Sequence, residues 1–423
     1  MKIVYPICCG VDVHKTFLVA TIITTRPPGL EAEYQKKRFS TFNNSLLAFK
    51  QWLLANNCRH VCMESAGKYW IPMYNLLEDE IEVTIANPKW VSVVKGNKDD
   101  VKDSKWIGEL FRMGLVPGSF IPDRPIRLLR ECVRYRYKLV AMKASEKNRY
   151  QNAFTVCNVA LDCVVSSMFG KSATAIADYM ISDAPFDPSH CVRLLHGRLK
   201  KKSEQIVEAV EGFRMEPEQK IRIRILQYHM QAIDHAMGLL DETIDELVKP
   251  YERYVELLCS IPGVKRMTAV TILSEIGTDM SRFASSKRLC SWAGLVPGNN
   301  QSAGKKKSVR IMRAGVYIKP ALVQAAHAAA RDKSCDYYGS KYQKIAGRRG
   351  KKKAVVAIAR MILTAVFHML QTGQMFQPGD LLNDEQLTVL KEKKQKNSLR
   401  EAAKLIQRAG IALPEQFLLS LSS

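Results

Sequence analysis

The sequence predicts an α/β domain at the N-terminus, a helical middle and a mainly helical C-terminal domain. Three observations carry this. Branched, strand-like runs alternate with amphipathic stretches over residues 1–125, a pattern that favours an α/β layer with parallel pairing. A heptad seam runs over residues 223–247, within a helical middle region of residues 126–250. In residues 251–375, apolar helical stretches flank a polar, basic segment at 294–313, GLVPGNNQSAGKKKSVRIMR; a mixed tail, 376–423, follows.

The 423 residues suffice for two or three domains, and a hydrophobic content of 47% marks a globular chain. The formal charge of +23 calls for a polyanionic partner, most simply nucleic acid. The excess is clustered: residues 287–360 hold 18 Lys and Arg against Asp332 and Asp336 alone. Eleven cysteines at irregular spacing make no disulfide framework. Without a secretion signal they suggest a reducing cytoplasm, so a cytoplasmic, nucleoid-associated protein is expected. Cys58, His60 and Cys62 alternate on a strand-like run, which reads as buried thiols rather than a zinc site. No stretch of 18 apolar residues occurs, so no membrane span is expected.

From the N-terminus, residues 7–23 read as strand, tight turn and strand, and 39–42 as a third strand. Asn43 or Asn44 would cap a helix over 45–55. A strand over 60–63 ends at Glu64, residues 70–77 form a helix, and 82–86 a strand stopped by Asn87-Pro88. A helix over 104–112 follows, with Trp106, Ile107, Leu110 and Phe111 on one face. Asp12 interrupts an apolar strand, where a carboxylate is costly unless paired, with His14 or Lys15, or metal-bound. Asp100 and Asp103 are three apart and project from nearly one side of a first helical turn, where acids also suit the helix dipole. Four carboxylates brought together would repel one another without metal; with Mg²⁺ they would hold two ions about 4 Å apart for phosphodiester chemistry.

The strings VDVHK, MES after a strand, and DDVKDSKWI resemble the DEDD motif of the RuvC-like transposases of one large insertion-sequence family. The matched positions are Asp12, Glu64, Asp100 and Asp103. The resemblance implies an RNase H-like N-terminal domain. The family commonly reads Lys-Thr-Asp-x-x-Asp where this chain has Lys98-Asp99-Asp100-Val101-Lys102-Asp103, so Asp99 competes with Asp100 as a ligand.

Residues 127–150 form a long helix with interleaved cations and Tyr135, Tyr137 and Tyr150, which suits RNA contact or a solvated face. Residues 151–215, with the run Lys200-Lys201-Lys202, read as short helices. Ile223, Leu226, Met230, Ile233, Met237, Leu240, Ile244 and Leu247 then step by alternating threes and fours, the spacing of a coiled coil or long helical hairpin. The family resemblance implies a homo-oligomer, dimer or tetramer, joined partly by this segment.

Residues 257–277 resemble a helix-hairpin-helix whose Pro262-Gly263 turn would grip a phosphate without reading sequence. In 294–313 the Pro-Gly and Asn-Asn pairs predict a loop rather than a strand. A hydroxyl on it could approach a phosphodiester, with Lys305, Lys306, Lys307, Arg310 and Arg313 holding the phosphate. Helices are expected over 317–330 and 354–370, with the GRRGKKK cluster (Arg348, Arg349, Lys351, Lys352, Lys353) between them as an electrostatic nucleic-acid contact. Helices over 381–390 and 398–409 complete the tail.

The string PGNNQSAGKKKS resembles the signature of the C-terminal domain of the same family. The resemblance, over about residues 5–120 and 250–370, implies a DNA transposase. Its nucleophile would be Ser302, forming a covalent phosphoserine link to DNA, with the RuvC-like acids completing the site in cis or across subunits. It also implies Mg²⁺ and a structured noncoding bridge RNA. Ser308 is the neighbouring alternative nucleophile. A junction nuclease using water, a non-catalytic nucleic-acid-binding protein, and a tyrosine recombinase acting through Tyr317 or Tyr337 are the rivals.

Overall fold

The structure is a computed structural model; it describes residues 2–26, 31–65, 67–91, 100–298, 300–302, 305–308 and 310–378, and in the tail 399, 402, 403 and 406. The expected tail helix over 381–390 and the acid Asp99 lie outside the described residues. The chain divides into two compact units, one of Met1–Leu247 with Ser274–Gly277, the other of Val248–Leu273 with Thr278–Ser423.

The first unit opens with β1 (Ile7–Val13), β2 (Phe17–Thr25), β3 (Ala32–Ser40), α1 (Asn43–Ala55), β4 (His60–Glu64), α2 (Trp70–Leu77), β5 (Glu82–Ala86), α3 (Pro88–Val91) and α4 (Asp100–Arg112). The strands form one sheet in the order β3-β2-β1-β4-β5. β1 and β2, and β2 and β3, pair antiparallel, while β4 lies parallel to β1 and β5 parallel to β4. The sheet is covered on both faces. Cys9, Val11 and Val13 of β1 and Val61 and Met63 of β4 pack with Leu46, Phe49 and Leu53 of α1 and Met73 and Leu77 of α2. Cys8 and Cys62 point the other way, into a cluster with Ile107 and Phe111 of α4. Burial raises the Cys62 thiol to about 12, so it stays neutral and acts as an apolar filler.

Three local expectations are corrected. β3 begins at Ala32, well before the expected residue 39, because its first seven positions are polar or small and partly or fully exposed, leaving no apolar alternation to read. The N-cap of α1 is Phe42, not an asparagine, and its side chain makes no cap bond. Trp106 is 39% exposed and lies off the buried face that Ile107 and Phe111 define.

The helical remainder of this unit consists of α5 (Arg124–Thr155), the short helices α6 (Leu161–Val164), α7 (Lys171–Met180), α8 (Pro188–Arg193) and α9 (Ser203–Val210), and α10 (Pro217–Val248). Lys200–Lys202 end a short 3₁₀ turn ahead of α9. α5 and α10 run antiparallel. Ion pairs join Arg136 to Asp241 and Lys143 to Asp234, and Gln227 donates to the Tyr150 hydroxyl at 3.5 Å. The heptad seam of α10 is buried at Ile223 and Leu226 at one end and at Ile244 at the other. Between these ends Ile233, Met237 and Leu240 are only partly buried.

Most cations of α5 are drawn into the fold, while Arg124 and Lys138 are exposed. Arg127 bonds Glu78 and Asn75 at 2.5 and 2.9 Å, Lys147 sits 4.8 Å over the Phe169 ring, and Arg149 pairs with Glu146. Arg134 grips Glu275 with two bonds of 2.6 and 2.8 Å, and Arg130 donates to the carbonyls of Ser274 and Glu275 at 2.9 and 2.6 Å. Burial lowers the Arg130 guanidinium to about 10, which leaves it charged at neutral pH. Glu275 is 3% exposed, so losing its partner strands a buried charge. Arg134→Ala is expected to destabilise this unit by about 2–3 kcal/mol, measured as a lower urea midpoint at unchanged slope.

The second unit contains α11 (Glu252–Cys259), α12 (Arg266–Ile276) up to Leu273, its last three residues belonging to the first unit, α13 (Ser286–Trp292), β6 (Asn300–Ser302), β7 (Lys305–Ser308), α14 (Ile318–Ala329), α15 (Tyr337–Arg349) and α16 (Lys351–Thr372). Small residues of α14, with Ala325, Ala326 and Ala329 buried, let α16 approach closely. α16 is long and apolar enough by length and composition to cross a membrane, which the expectation from apolar run length did not foresee. Its apolar positions, Ile358, Ile362, Leu363 and Val366 among them, are buried inside the protein and pack with α11, α13, α14 and α15, as a core helix does.

Candidate active site

β1 and β4 are parallel neighbours, with Val11 opposite Met63. Their C-terminal ends therefore lie side by side, and the next residues on each are Asp12 and Glu64. Side chains alternate along a strand. Since Val11, Val13 and Met63 face α1 and α2, Asp12 and Glu64 face the α4 layer. α4 comes exceptionally close there. A Cβ on Gly10 would sit 2.2 Å from the Ser104 carbonyl oxygen and 2.3 Å from the Gly108 nitrogen. Ser104 is fully buried and shares a 2.8 Å hydrogen bond with Thr21. The start of α4, where Asp100 and Asp103 stand, is thus held at the sheet edge that carries Asp12 and Glu64; the Asp100 side chain lies outside the described residues. The Gly10–Gly108 contact that sets this approach was not read from the sequence, although a lone glycine inside an apolar strand signals close backbone approach.

Asp12 is 9% exposed and its Oδ2 lies 3.1 Å from His14 Nε2, the pairing expected of a buried carboxylate. Among the described residues no three His, Cys, Asp or Glu side chains gather closely enough to hold a metal ion. The donor chemistry at this edge is nonetheless that of a hard divalent cation: the carboxylates Asp12 and Glu64, with the His14 imidazole beside Asp12.

In the second unit, the segment expected to be a loop is a β-hairpin. β6 and β7 pair antiparallel, with Gln301 opposite Lys306 and Ser302 opposite Lys305. Pro297 bridges Ile311, and the Gly298 amide donates to the Arg310 carbonyl at 3.0 Å. The strands contain polar residues alone, so they carry no period-2 hydrophobic signal; what was legible was the turn chemistry. Ser302 is the last residue of β6, beside the hairpin's turn, whereas Ser308 lies at the far end of β7 opposite Asn300. The base of the hairpin is pinched. A Cβ on Gly315 (φ +64°) would meet the Ala293 carbonyl oxygen at 2.3 Å, so its two ends touch backbone to backbone.

Arg310 and Arg313 are exposed beyond β7. Gly350 (φ +86°) divides the second basic cluster: Arg348 and Arg349 end α15 and Lys351, Lys352 and Lys353 open α16, all exposed. Cations in a first helical turn oppose the helix dipole, so the three lysines cost the fold stability and suit an anionic partner. Gly263 (φ +82°) turns the chain between α11 and α12, and a Cβ there would meet the Ala325 carbonyl oxygen at 2.4 Å. Packing on α14 is thus one reason for glycine at this position.

A mixed sheet in this strand order, with carboxylates at neighbouring strand ends and a helix-borne acid pair, together with a basic serine hairpin on a helical unit, defines a DEDD-type transposase architecture. Comparison with known families agrees. A family model for DEDD transposases of the IS110 type, described as Transposase, matches residues 9–158, and one described as Transposase IS116/IS110/IS902 family matches residues 255–343. The first match carries the carboxylates and the second the hairpin. The chain belongs to this IS110-type transposase family. Among curated relatives, the transposase for insertion sequence element IS1111A of Coxiella burnetii is 26% identical over 177 residues, covering 41% of this chain and 48% of that one. The IS900 uncharacterized 42 kDa protein of Mycobacterium paratuberculosis is 28% identical over 162 residues, covering 36% and 38%. A pilin gene-inverting protein of Moraxella bovis is 28% identical over 152 residues, covering 34% and 44%. The chain spans less than half the length of each of these relatives.

Proposed function

We propose that the protein is a DNA transposase that cuts and exchanges strands at the ends of an insertion sequence and at its target. The observation that carries this reading is the placing of Asp12 and Glu64 on neighbouring parallel strand ends facing the helix that Asp100 opens. The printed names of the relatives, transposase and gene-inverting protein, support DNA rearrangement as the reaction class. Asp12, Glu64, Asp100 and Asp103 would hold a divalent cation, most simply Mg²⁺, which when bound stabilises charge on phosphodiester oxygens.

Ser302 is the proposed nucleophile. Its Oγ attacks phosphorus, one P–O bond of the strand breaks, the hydroxyl proton passes to solvent, and the leaving oxygen takes up a proton as a free hydroxyl end. The phosphoserine ester keeps the energy of the broken bond, so a second strand's hydroxyl can reverse the step and seal the exchange without ATP. The position of Ser302 beside a hairpin turn supports this role over Ser308. Lys305, Lys306, Lys307, Arg310, Arg313 and the cations at 348–353 contact backbone phosphates, and the Gly263 turn contributes a sequence-independent phosphate contact. A structured noncoding RNA guide and a homo-oligomer belong to the same proposal; the family resemblance suggests them, and a net charge of +23 suits either nucleic acid.

The test is trapping. Protein, co-purified RNA, Mg²⁺ and labelled element-end DNA are incubated, denatured and resolved for DNA attached to protein. Wild type is expected to give an adduct and Ser302→Ala none. Cleavage that persists in Ser302→Ala without an adduct would identify a hydrolytic nuclease instead. Binding with no cleavage in any variant would leave a nucleic-acid-binding protein.

A further inference from the structure

The carboxylate edge of the sheet carries two aromatic side chains for which the fold has no use. Phe42 follows β3 at this edge, where the Thr41 amide donates to the Thr16 carbonyl and the Thr41 hydroxyl to the Lys15 carbonyl. Tyr69 follows the turn after Glu64, at the head of α2. Both α1 and α2 start at this edge and pack on the same face of the sheet. Phe42 is 79% exposed, more than any other large apolar side chain among the described residues, and Tyr69 is 45% exposed. Among the described residues neither ring stacks on another, and neither side chain caps the helix it precedes. A phenylalanine at a position that favours Ser, Thr, Asp or Asn costs the helix stability. Leaving its ring in water forgoes the stabilisation that burying it would give.

The surroundings of the rings are cationic. Lys15 and Lys68 are exposed on the turns next to them and take no ion-pair partner among the described residues. Arg38, on the adjoining strand, lies 3.8 Å over the Phe17 ring. Aromatic rings interleaved with unpaired cations match single-stranded nucleic acid, whose bases stack while its phosphates are neutralised. A protein surface would not need the cations, and duplex DNA would not need the rings. The carboxylates face the α4 layer and the rings stand at the heads of α1 and α2, at the same edge of the sheet.

We propose that Phe42 and Tyr69 are positioning residues that stack on unpaired bases of the strand delivered to the carboxylate edge. This rests on the transposase reading for its purpose, though not for its test. The experiment measures binding in EDTA, where no cleavage occurs. In Phe42→Trp, the indole emission, taken as the difference from wild type, is followed while a short single-stranded DNA, the same sequence as RNA, or the DNA duplex is added.

Quenching by the single strands that saturates with binding is expected. Phe42→Ala/Tyr69→Ala should weaken single-strand binding about tenfold, the loss of about one stacked base, with duplex binding within about twofold. Phe42→Tyr should restore it. A preference between the DNA and RNA single strands identifies which strand supplies the base. Unquenched binding, equal losses on duplex and single strand, or a changed oligomeric mass with unchanged binding would overturn the proposal, the last identifying a contact between copies of the chain. If wild type forms the serine adduct but the double variant binds single strands normally, stacking falls and the transposase reading stands; if the adduct never forms but quenching holds, the reverse is true.

Discussion

Asp12→Asn is expected to lower metal-dependent strand cleavage by about 10³-fold while leaving DNA affinity within about threefold. A carboxylate that holds a divalent cation supplies a full negative charge and a hard oxygen. An amide of the same shape supplies a weak oxygen and no charge. Losing transition-state stabilisation of about 4 kcal/mol corresponds to that factor in rate. DNA affinity comes from phosphate contacts by the exposed cations, which the substitution does not touch.

Stability separates this from a folding defect. Asp12 is 9% exposed and within 3.1 Å of His14, and an asparagine there can keep a bond to the imidazole without a charge to desolvate. The melting temperature should therefore hold or rise slightly. Single-turnover cleavage across a Mg²⁺ titration, beside a thermal melt, decides the matter. A variant that cleaves within tenfold of wild type at every metal concentration would remove Asp12 from the ligand set.

How much of this was legible in the sequence depended on how local the signal was. α2 and β5 fall residue for residue where expected, because their limits are set by neighbours in the chain: the turn at Gly67 before one, and Asn87-Pro88 after the other. Asp12 and Glu64 could be placed at strand ends for the same reason. The length of β3 could not, since an edge strand written as AEYQKKRFS buries only Phe39. Nor could the hairpin at 300–308, whose pairing is made by backbone between polar residues.

The basic helix α5 is the most instructive case. Its cations and tyrosines read as a nucleic-acid face and almost as well as a solvated one. The structure gives Arg127, Arg134, Arg136 and Lys143 to Glu78, Glu275, Asp241 and Asp234, acids 49 to 141 residues away in sequence. Composition shows that a charge is present; only the tertiary fold shows whether it is already spent. By that criterion the cations at 348–353, exposed at a helix break, remain the better candidates for phosphate contact.

Gly10→Ala is expected to be the most damaging single-methyl change in the sheet domain, costing about 3 kcal/mol or more and lowering the melting temperature by roughly 6–12 °C. The added Cβ would lie 2.2 Å from the Ser104 carbonyl oxygen, 2.3 Å from the Gly108 nitrogen and 2.8 Å from its Cα. These are backbone atoms of α4 and cannot rotate away, so the helix must move off β1 as a body. Gly108→Ala provides the control. Its Cβ would meet chiefly the Ile23 Cδ1 at 2.7 Å, the end of a side chain that can change rotamer, with the Gly10 nitrogen at 3.2 Å. About 1 kcal/mol is expected there. The functional consequence follows from the same geometry. α4 brings Asp100 and Asp103 to the edge that holds Asp12 and Glu64, so a shift of about 1 Å misplaces half of the carboxylate set and can cost about 10²-fold in rate. Cleavage by Gly10→Ala should thus fall even at temperatures where the folded fraction, followed by urea titration, is complete. A Gly10→Ala protein as stable and as active as wild type would mean that α4 does not press on β1 at this point, and the joining of the two acid pairs at one edge would lose its structural basis.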